Sequence, residues 1–347
     1  MIKLVLAFLT FVYVLMTVLP LVRSDFWTFR LLEYPRLQKL LIGLVLLAVV
    51  LVNRIYFDNI VWWYLIPLTI CILYLSIKIF PYTALSPKEM KRVNNSEPAK
   101  ELKIFTANVL QDNTQYHKML AQIKEMDPDI IFLVETDEKW ATALQPLEQQ
   151  YSYSLKYPLD NTYGLLFYCR LKVMNGGVNF IVEKDVPSIE VTVQLENGIP
   201  VRIFGLHPKP PVPKEALYST AKDKELMKVA LKVEHFEDPC IVMGDLNDVA
   251  WSYVTKLFRK VSSLIDPRRG RGFYSTFSAN HRWMRFPLDY IFCSSHFGLV
   301  SMKRMPHNGS DHFAMFIHLQ YQEQLEKEQD KPEADKEEKE AAVEKAA

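Results

Sequence analysis

The chain predicts an α+β domain carried behind N-terminal membrane-spanning helices, and three observations lead there. The first eighty residues hold apolar runs of spanning length. From about Leu102 onward, short apolar runs of strand length alternate with segments whose apolar positions recur at helical spacing. Several of the short runs end in an acid, an amide or an imidazole. Strand ends are where a sheet scaffold gathers side chains from distant parts of a sequence into one cleft.

Residues 1–80 read as a membrane anchor. The run 4–22 is nearly uninterrupted, and 60–80 is a second, with Trp62, Trp63 and Tyr64 at one end as an interfacial aromatic belt. Between them, 40–52 is apolar but short, reaching about 20 Å against a hydrocarbon thickness of about 30 Å. It spans if its helix continues through Phe57. The anchor therefore has three spans, near 4–22, 40–57 and 60–80, or else two. Lys3 ahead of the first run also fits a secretion signal, but Leu19-Pro-Leu-Val-Arg-Ser24 lacks a small-x-small cleavage pattern, so a retained anchor is the reading.

Positive charge sets the orientation. Arg23, Arg30, Arg36 and Lys39 lie between the first two segments, and Lys78, Lys88, Lys91 and Arg92 follow the third; Lys3 and Arg54 fall on the other side. The positive-inside rule then gives an integral protein of a bacterial-type inner or plasma membrane with a cytoplasmic-facing domain. Two spans with the N-terminus inside give the same result. Three spans with Lys3 setting the topology would export the domain instead.

Residues 81–100 turn polar, with Pro87, Asn94, Asn95 and Pro98, and read as a linker. The domain occupies 101–320. Its strands are expected at 103–107, 130–134, 164–168, 190–195, 201–206, 240–243, 288–293 and 313–319. Helices are expected at 116–126, closed by Asp127-Pro128, and at 220–236, where Leu226, Val229, Ala230 and Val233 keep helical spacing. Asn197-Gly198 marks a hairpin. Residues 321–347 form a charged tail of alternating Glu and Lys, read as a solvated helix or as disorder.

Composition narrows the partners. A chain of 347 residues holds one domain of about 220 residues plus appendages. The formal net charge of +1 does not advertise nucleic acid. Four cysteines without zinc or Cys-x-x-Cys spacing read as small buried hydrophobes, and unpaired thiols lean toward a reducing compartment.

The runs that end in chemistry are Thr106-Ala-Asn108, Phe132-Leu-Val-Glu135, Gly205-Leu-His-Pro208, Ile241-Val-Met-Gly-Asp-Leu-Asn247, Leu288-Asp289-Tyr-Ile-Phe292 and Gly309-Ser-Asp-His312. They supply Asn108, Glu135, His207, Asp245, Asn247, Asp289, Asp311 and His312. Rich in oxygen, with two imidazoles and no thiolate, the set suits a hard cation such as Mg²⁺ (or Mn²⁺) and a phosphate ester. In this order, the motifs resemble the endonuclease/exonuclease/phosphatase superfamily over about 102–319. The resemblance implies a four-layer αββα sandwich, two packed β-sheets with helices on both outer faces. It also implies a metal-dependent phosphoric ester hydrolase in which water attacks phosphorus in line.

Roles follow residue by residue from the resemblance. Glu135 would bind the metal, with Asn108 beside it and Asp311 near it; an exposed strand-end carboxylate and a turn-forming Asn are the plainer readings of the first two. Asp245 would position or activate the water, and Asn247 would hold the scissile phosphate. Asp289 would fix the tautomer of His312, which contacts the phosphate or takes the water's proton. Asp245 and Asn247, two apart on an extended segment, leave the same face; the alternative is an Asp-x-Asn turn that caps backbone amides. His207 stands where some relatives protonate the leaving group, or is a satisfied strand-end histidine. Lys209, Asn161 and Tyr163 are candidate substrate contacts, and Arg268, Arg269 and Arg271 with Tyr274 are candidate rim groups, against solvated loops.

The chain also departs from the family's best-known branches. Val134 stands where many nucleases carry a glutamine, Asn108 is not followed by a second acid two positions on, and no basic, aromatic-rich insertion for gripping duplex DNA is present. A membrane-anchored hydrolase of lipid-linked or small phosphate esters therefore ranks first, with the lipid bilayer as partner. A membrane-anchored nuclease is the alternative, so nucleic acid stays open as a substrate. A non-catalytic binding module on the same scaffold comes last, because the catalytic set is complete.

Overall fold

Strands covered on both faces read as continuous apolar runs, and β2 (Ile130–Val134) and β4 (Leu165–Cys169) are buried at every residue. The computed structural model describes residues 2–54 and 57–347. Among them, β2 and β4 join β1 (Glu101–Asn108), β3 (Tyr153–Tyr157), β10 (Phe297–Arg304) and β11 (Met315–Tyr321) in one sheet ordered β10-β11-β1-β2-β4-β3. A second sheet runs β5-β6-β7-β8-β9, from β5 (Lys172–Asn179), β6 (Ser188–Gln194), β7 (Pro200–Leu206), β8 (Cys240–Asp245) and β9 (Asp289–Cys293). The Asn197-Gly198 turn joins β6 to β7 as an antiparallel pair, with Gly198 at φ +91° where a side chain would be strained.

The sheets pack face to face. Phe132, Phe167 and Ile317 of the first meet Ile203, Ile241 and Met243 of the second. Gly205 permits that approach, since a Cβ there would sit 2.6 Å from Phe132 Cζ. Outside the first sheet lie α5 (Tyr116–Met126) and α6 (Glu138–Ala143), burying Met119, Ile123 and Trp140. Outside the second lie α7 (Thr220–Glu234) and α8 (Tyr253–Ser262), burying Leu226, Val229 and Phe258. The result is the expected four-layer αββα sandwich.

Ahead of it, α1 (Ile2–Val18), α3 (Arg36–Val52) and α4 (Trp62–Ile79) pack together through Leu6, Tyr13, Val50, Leu68 and Leu75. A short α2 (Trp27–Leu31) sits in the connection from α1 to α3. Two stretches, Ile2–Leu21 and Asn59–Tyr82, are long and apolar enough to cross a membrane, and most of each lies uncovered by protein. The middle helix departs from the expected 40–57. It starts at Arg36 and ends at Val52, where the Asn53 amide donates to the Val49 carbonyl (2.8 Å) and competes with helix continuation. Ile55 and Tyr56 lie outside the described residues.

Two segments expected to be loosely attached are packed. In 81–100, Met90 enters the core between the sheets and buried Tyr82 donates to the Ala250 carbonyl (2.6 Å). After α9 (Leu325–Glu328), the tail forms α10 (Lys336–Ala346), opened by an Asp335/Glu338 capping box. It lies on α7, burying Ala342 and pairing Lys339 with Glu234 (2.5 Å). Apolar residues spaced among the charges, invisible as a run, supply the docking face.

Candidate active site

Strand direction brings the motifs to one edge. β8 is parallel to β7 and antiparallel to β9, so Asp245, the last residue of β8, stands opposite Asp289, the first of β9. In the other sheet, Asn108 ends β1 beside the end of parallel β2, and β11 runs antiparallel to β1, so the loop leading to it returns Asp311 and His312 to the same place. The two edges touch through Asn108. Its Nδ2 donates to Glu135 Oε1 (2.5 Å) and Asp245 Oδ2 (3.1 Å), one amide bridging carboxylates from both sheets, while its Oδ1 accepts the Leu110 N–H (3.0 Å). Ser310 Oγ donates to the Asn108 carbonyl (2.8 Å) and accepts the His312 N–H (3.0 Å), fastening the Ser-Asp-His loop to β1.

Glu135 and Asn247 both stand in left-handed backbone, φ 60° and 49°, which turns them off the line of their strands. Asp245 and Asn247 therefore do not leave one face of an extended segment, as expected. Asp245 Oδ1 accepts the Asn247 N–H (3.0 Å) in an Asx turn, and Asn247 Nδ2 donates to the Pro208 carbonyl (3.0 Å). Asp245 Oδ2, which accepts from Asn108, lies 3.5 Å from His312 Nε2, and Asp245 lines the cleft.

The two histidines differ in charge. His312 Nδ1 lies 2.8 Å from Asp289 Oδ2, and its Nε2 lies 3.5 Å from Asp245 Oδ2. Burial opposes its charge, but Asp289 and Asp245 outweigh burial and push it up to about 10. His207 is buried with its ring 5.3 Å from that of Tyr163 and its Nε2 4.0 Å from Glu135 Oε1. Burial pushes it down to about 4, and its Nδ1 has no protein partner. Desolvation outweighs Asp245, so His207 stands in the site as a neutral imidazole, with one ring N–H and without the second proton of an imidazolium.

Glu135 is pushed up to about 7, by burial above all and by Asp245 and Asp311, against the Asn108 hydrogen bond and His312. Glu135, Asp245 and Asp311 line one cleft of about 500 Å³, and none of the described residues lining it is Lys or Arg. Asp311 Oδ1 is buried without a donor. Members of this family are typically dependent on a divalent metal, and crowded carboxylates with no Lys or Arg among the described lining residues fit one. Glu135 and Asp311 would hold it. When bound, such an ion neutralises phosphate charge and lowers the pKa of water. A tighter trio, Asp245, Asp289 and His312, has donor atoms within 4.8 Å of one another. Its protonated imidazole offers no lone pair, so the trio reads as an ion pair rather than a metal site.

The outer candidates separate. Tyr163 lines the cleft, its hydroxyl donating to Glu215 (2.9 Å). Asn161 and Lys209 do not line it: Asn161 Oδ1 accepts the Tyr163 N–H (3.1 Å), and Lys209 pairs with Asp185 (2.8 Å) and Glu183 (3.3 Å). The arginine run is structural as well. Arg268 is buried, chelates Asp266 (2.9 Å) and donates to the Asp289 carbonyl (3.1 Å), while Arg269 pairs with Glu89 (3.2 Å). Local acids claim these cations before a substrate can. Sequence reading missed Tyr34, Trp283 and Met284, which line the cleft. Tyr34 lay inside the stretch read as anchor, and the other two follow no motif.

Acids and an imidazole pair at the shared edge of two packed sheets define a sandwich hydrolase of phosphoester bonds. The model of the Endonuclease/Exonuclease/phosphatase family matches residues 105–312, and the chain belongs to that family, whose members are hydrolases acting on phosphoester bonds. Among solved structures, the human Nocturnin catalytic domain with bound sulfate anion is 19% identical, with 70% of this chain and 99% of that one covered and a TM-score of 0.52. An endonuclease/exonuclease/phosphatase family protein from Bacteroides thetaiotaomicron is 17% identical over 65% and 100%, TM-score 0.52. D. rerio TDP2 complexed with single strand DNA product is 17% identical over 63% and 98%, TM-score 0.51. These likenesses show the fold. No curated protein matches the chain.

Proposed function

We propose that this chain is a membrane-anchored, divalent-metal-dependent hydrolase of lipid-linked or small phosphate esters. The carrying observation is the cleft that gathers Glu135, Asp245 and Asp311 with no Lys or Arg among its described lining residues, next to the Asp289–His312 ion pair. Mg²⁺ or Mn²⁺ is assigned to Glu135 and Asp311. Asp245 Oδ2 takes a proton from a water whose oxygen bonds to phosphorus as the opposite ester P–O bond breaks. The leaving oxygen takes a proton from solvent, which yields an alcohol and a phosphate product. His312, as imidazolium, and Asn247 are assigned to the phosphoryl oxygens, where charge builds up.

The anchor reading draws on apolar surface that water would disfavour: Leu4 (77% exposed), Phe8 (66%) and Ile77 (70%) face outward from the helices. Arg23, beyond the end of α1, lies 4.3 Å from the centre of the Tyr253 ring, and Gln38, in the first turn of α3, donates to the Trp283 carbonyl, in keeping with a cytoplasmic-facing domain beside the positive loop. A nuclease reading draws on the TDP2 structure with a DNA product, and a cleft lined by no Lys or Arg ranks it second.

The test is hydrolysis of bis(p-nitrophenyl) phosphate by the full-length protein in detergent, with Mg²⁺, with Mn²⁺ and with chelator. Metal-dependent turnover that Asp245→Asn lowers by about two to four orders of magnitude is expected. Undiminished turnover in chelator would overturn the metal assignment, and no turnover of this or any other phosphate ester would overturn the function.

A further inference from the structure

The connection between the first two anchor helices is built into the catalytic domain. Phe26 pairs with Tyr218 across an antiparallel bridge, and the Trp27 N–H donates to the Leu217 carbonyl (2.9 Å). Arg30 is buried, paired with Asp223 (2.5 Å) and Asp25 (2.8 Å), and donates to Ser219 Oγ (3.0 Å). Trp251 Nε1 donates to the Glu33 carbonyl (2.8 Å). The last contact reaches the site: Tyr34 Oη donates to the carbonyl of Asn247 (2.7 Å), and the Tyr34 ring meets Phe286 edge-on at 5.5 Å. Leu31, Tyr34 and Pro35 thus stand as one wall of the cleft that Asp245 and His312 floor.

The surface adjoining this wall is apolar. Phe277 and Phe286 are its inner part, and Trp283 (77% exposed) and Met284 (57%) form its lip. The lip is fastened to the anchor, because Gln38 Nε2, in the first turn of α3, donates to the Trp283 carbonyl (2.6 Å). One turn further along α3, Leu41 (45% exposed) and Ile42 (53%) already face outward. The mouth of the cleft therefore lies where the apolar helices begin. A polyanion would meet no cationic side chain along these walls. A single phosphate on an apolar chain would meet the carboxylate–imidazole floor, with its cation, at one end and apolar surface at the other.

We propose that the connection 25–38 makes the site selective for a lipid phosphate ester, an amphiphile drawn from the membrane surface with its chain along the apolar surface that Leu31, Tyr34, Trp283 and Met284 line together. This rests on the hydrolase reading above and adds the residues that choose the substrate and the side from which it enters. The anchor is then part of the specificity pocket, and the domain freed of it has a cleft with one wall missing.

The experiment uses the full-length protein in phosphatidylcholine vesicles with Mg²⁺ and a series of p-nitrophenyl alkyl phosphates bearing methyl, hexyl and hexadecyl chains. The expected result is a rise in kcat/KM on the order of a hundredfold from methyl to hexadecyl. Partition into vesicles raises the long-chain rate for any variant, so the deciding readout is the hexadecyl-to-methyl ratio in Leu31→Ser and Trp283→Ser. Trp283 is 77% exposed, so its replacement spares the fold. The ratio should fall about tenfold or more in both. A ratio near one in the wild type, or one unmoved by either substitution, would overturn the inference while methyl-ester turnover upholds the hydrolase. Faster cleavage of a single-stranded oligonucleotide than of the hexadecyl ester would overturn it too. Turnover of no ester at all would remove both readings.

Discussion

Replacing Glu135 with glutamine tests the electrostatics of the site apart from catalysis. A carboxyl held at about 7 in the folded protein against an ordinary 4.5 favours the protonated form by roughly 3 kcal/mol. The folded protein keeps this proton more tightly than the unfolded chain does. Stability without metal is therefore greatest below about pH 4.5, falls as pH rises, and bears the full cost above about pH 7. The amide of Glu135→Gln keeps the oxygen that accepts from Asn108 but carries no charge. At pH 8 in chelator, the variant should be more stable than the wild type by roughly 3 kcal/mol, about 5–10 °C in Tm for a domain of this size. At pH 5 the gap should shrink to roughly 1 kcal/mol. Thermal unfolding in detergent at both pH values reads this directly. Adding Mg²⁺ at pH 8 should raise the wild-type Tm and leave the variant's nearly unmoved, and the variant should be folded but without most of its turnover. Parallel pH profiles for the two proteins in chelator would refute the reasoning, because Glu135 would then not be a carboxylate desolvated among like charges.

Asp245→Asn and His312→Ala should each lower kcat by about two to four orders of magnitude with little change in KM; a raised KM with kcat intact would reverse their assignment to chemistry. Asp289 holds His312 charged up to about pH 10, so this pair's stabilisation is complete below about pH 6.5 and is lost as pH rises through 10. Asp289→Asn should bring the imidazole resonance's midpoint down by more than one pH unit, and an unshifted midpoint would show that the pairing does not set it. Arg30→Ala removes one partner of buried Asp223 and leaves Lys345 (3.1 Å) and Lys222 (3.8 Å), so it should cost about 3 kcal/mol, seen as a lower Tm of the full-length protein. In sealed cells the domain should resist added protease until the membrane is opened; digestion in intact cells would overturn the cytoplasmic orientation.

The strands that carry chemistry were legible because each is a dense apolar run with a polar stop. The expected 130–134 and 240–243 agree with β2 and with the first four residues of β8. Strands β3, β5 and β10 were missed. β3 and β5 contain no buried residue, and β10 is buried only over its first three residues; all three carry Lys, Asn, Gly or Ser among their apolar residues, so none reads as a continuous run, and neighbouring strands hold them in place. Helix α8 was missed although its apolar positions are buried, because Arg259 and Ser262 share its inner face, Arg259 paired there with Glu89. Lys209 and the arginine run failed as substrate groups for a related reason. Whether a cation is free depends on acids such as Asp185 and Asp266 whose proximity no spacing announces.

By itself the sequence determined the family, the fold class and the apolar character of the first eighty residues, and it named the eight side chains that the fold gathers at one edge. Each of these is local, written in short runs and their polar ends. Tertiary structure decided what depends on pairs far apart in the chain. It made Asn108 a bridge between the sheets, charged His312 and left His207 neutral by the same burial with different neighbours, and turned Asn247 out of the strand. It also carried Tyr34 across from the anchor to the carbonyl of Asn247, 213 residues away. Hydrogen bonds, desolvation and enclosure act through space, so the composition of a segment does not reveal what it will stand beside.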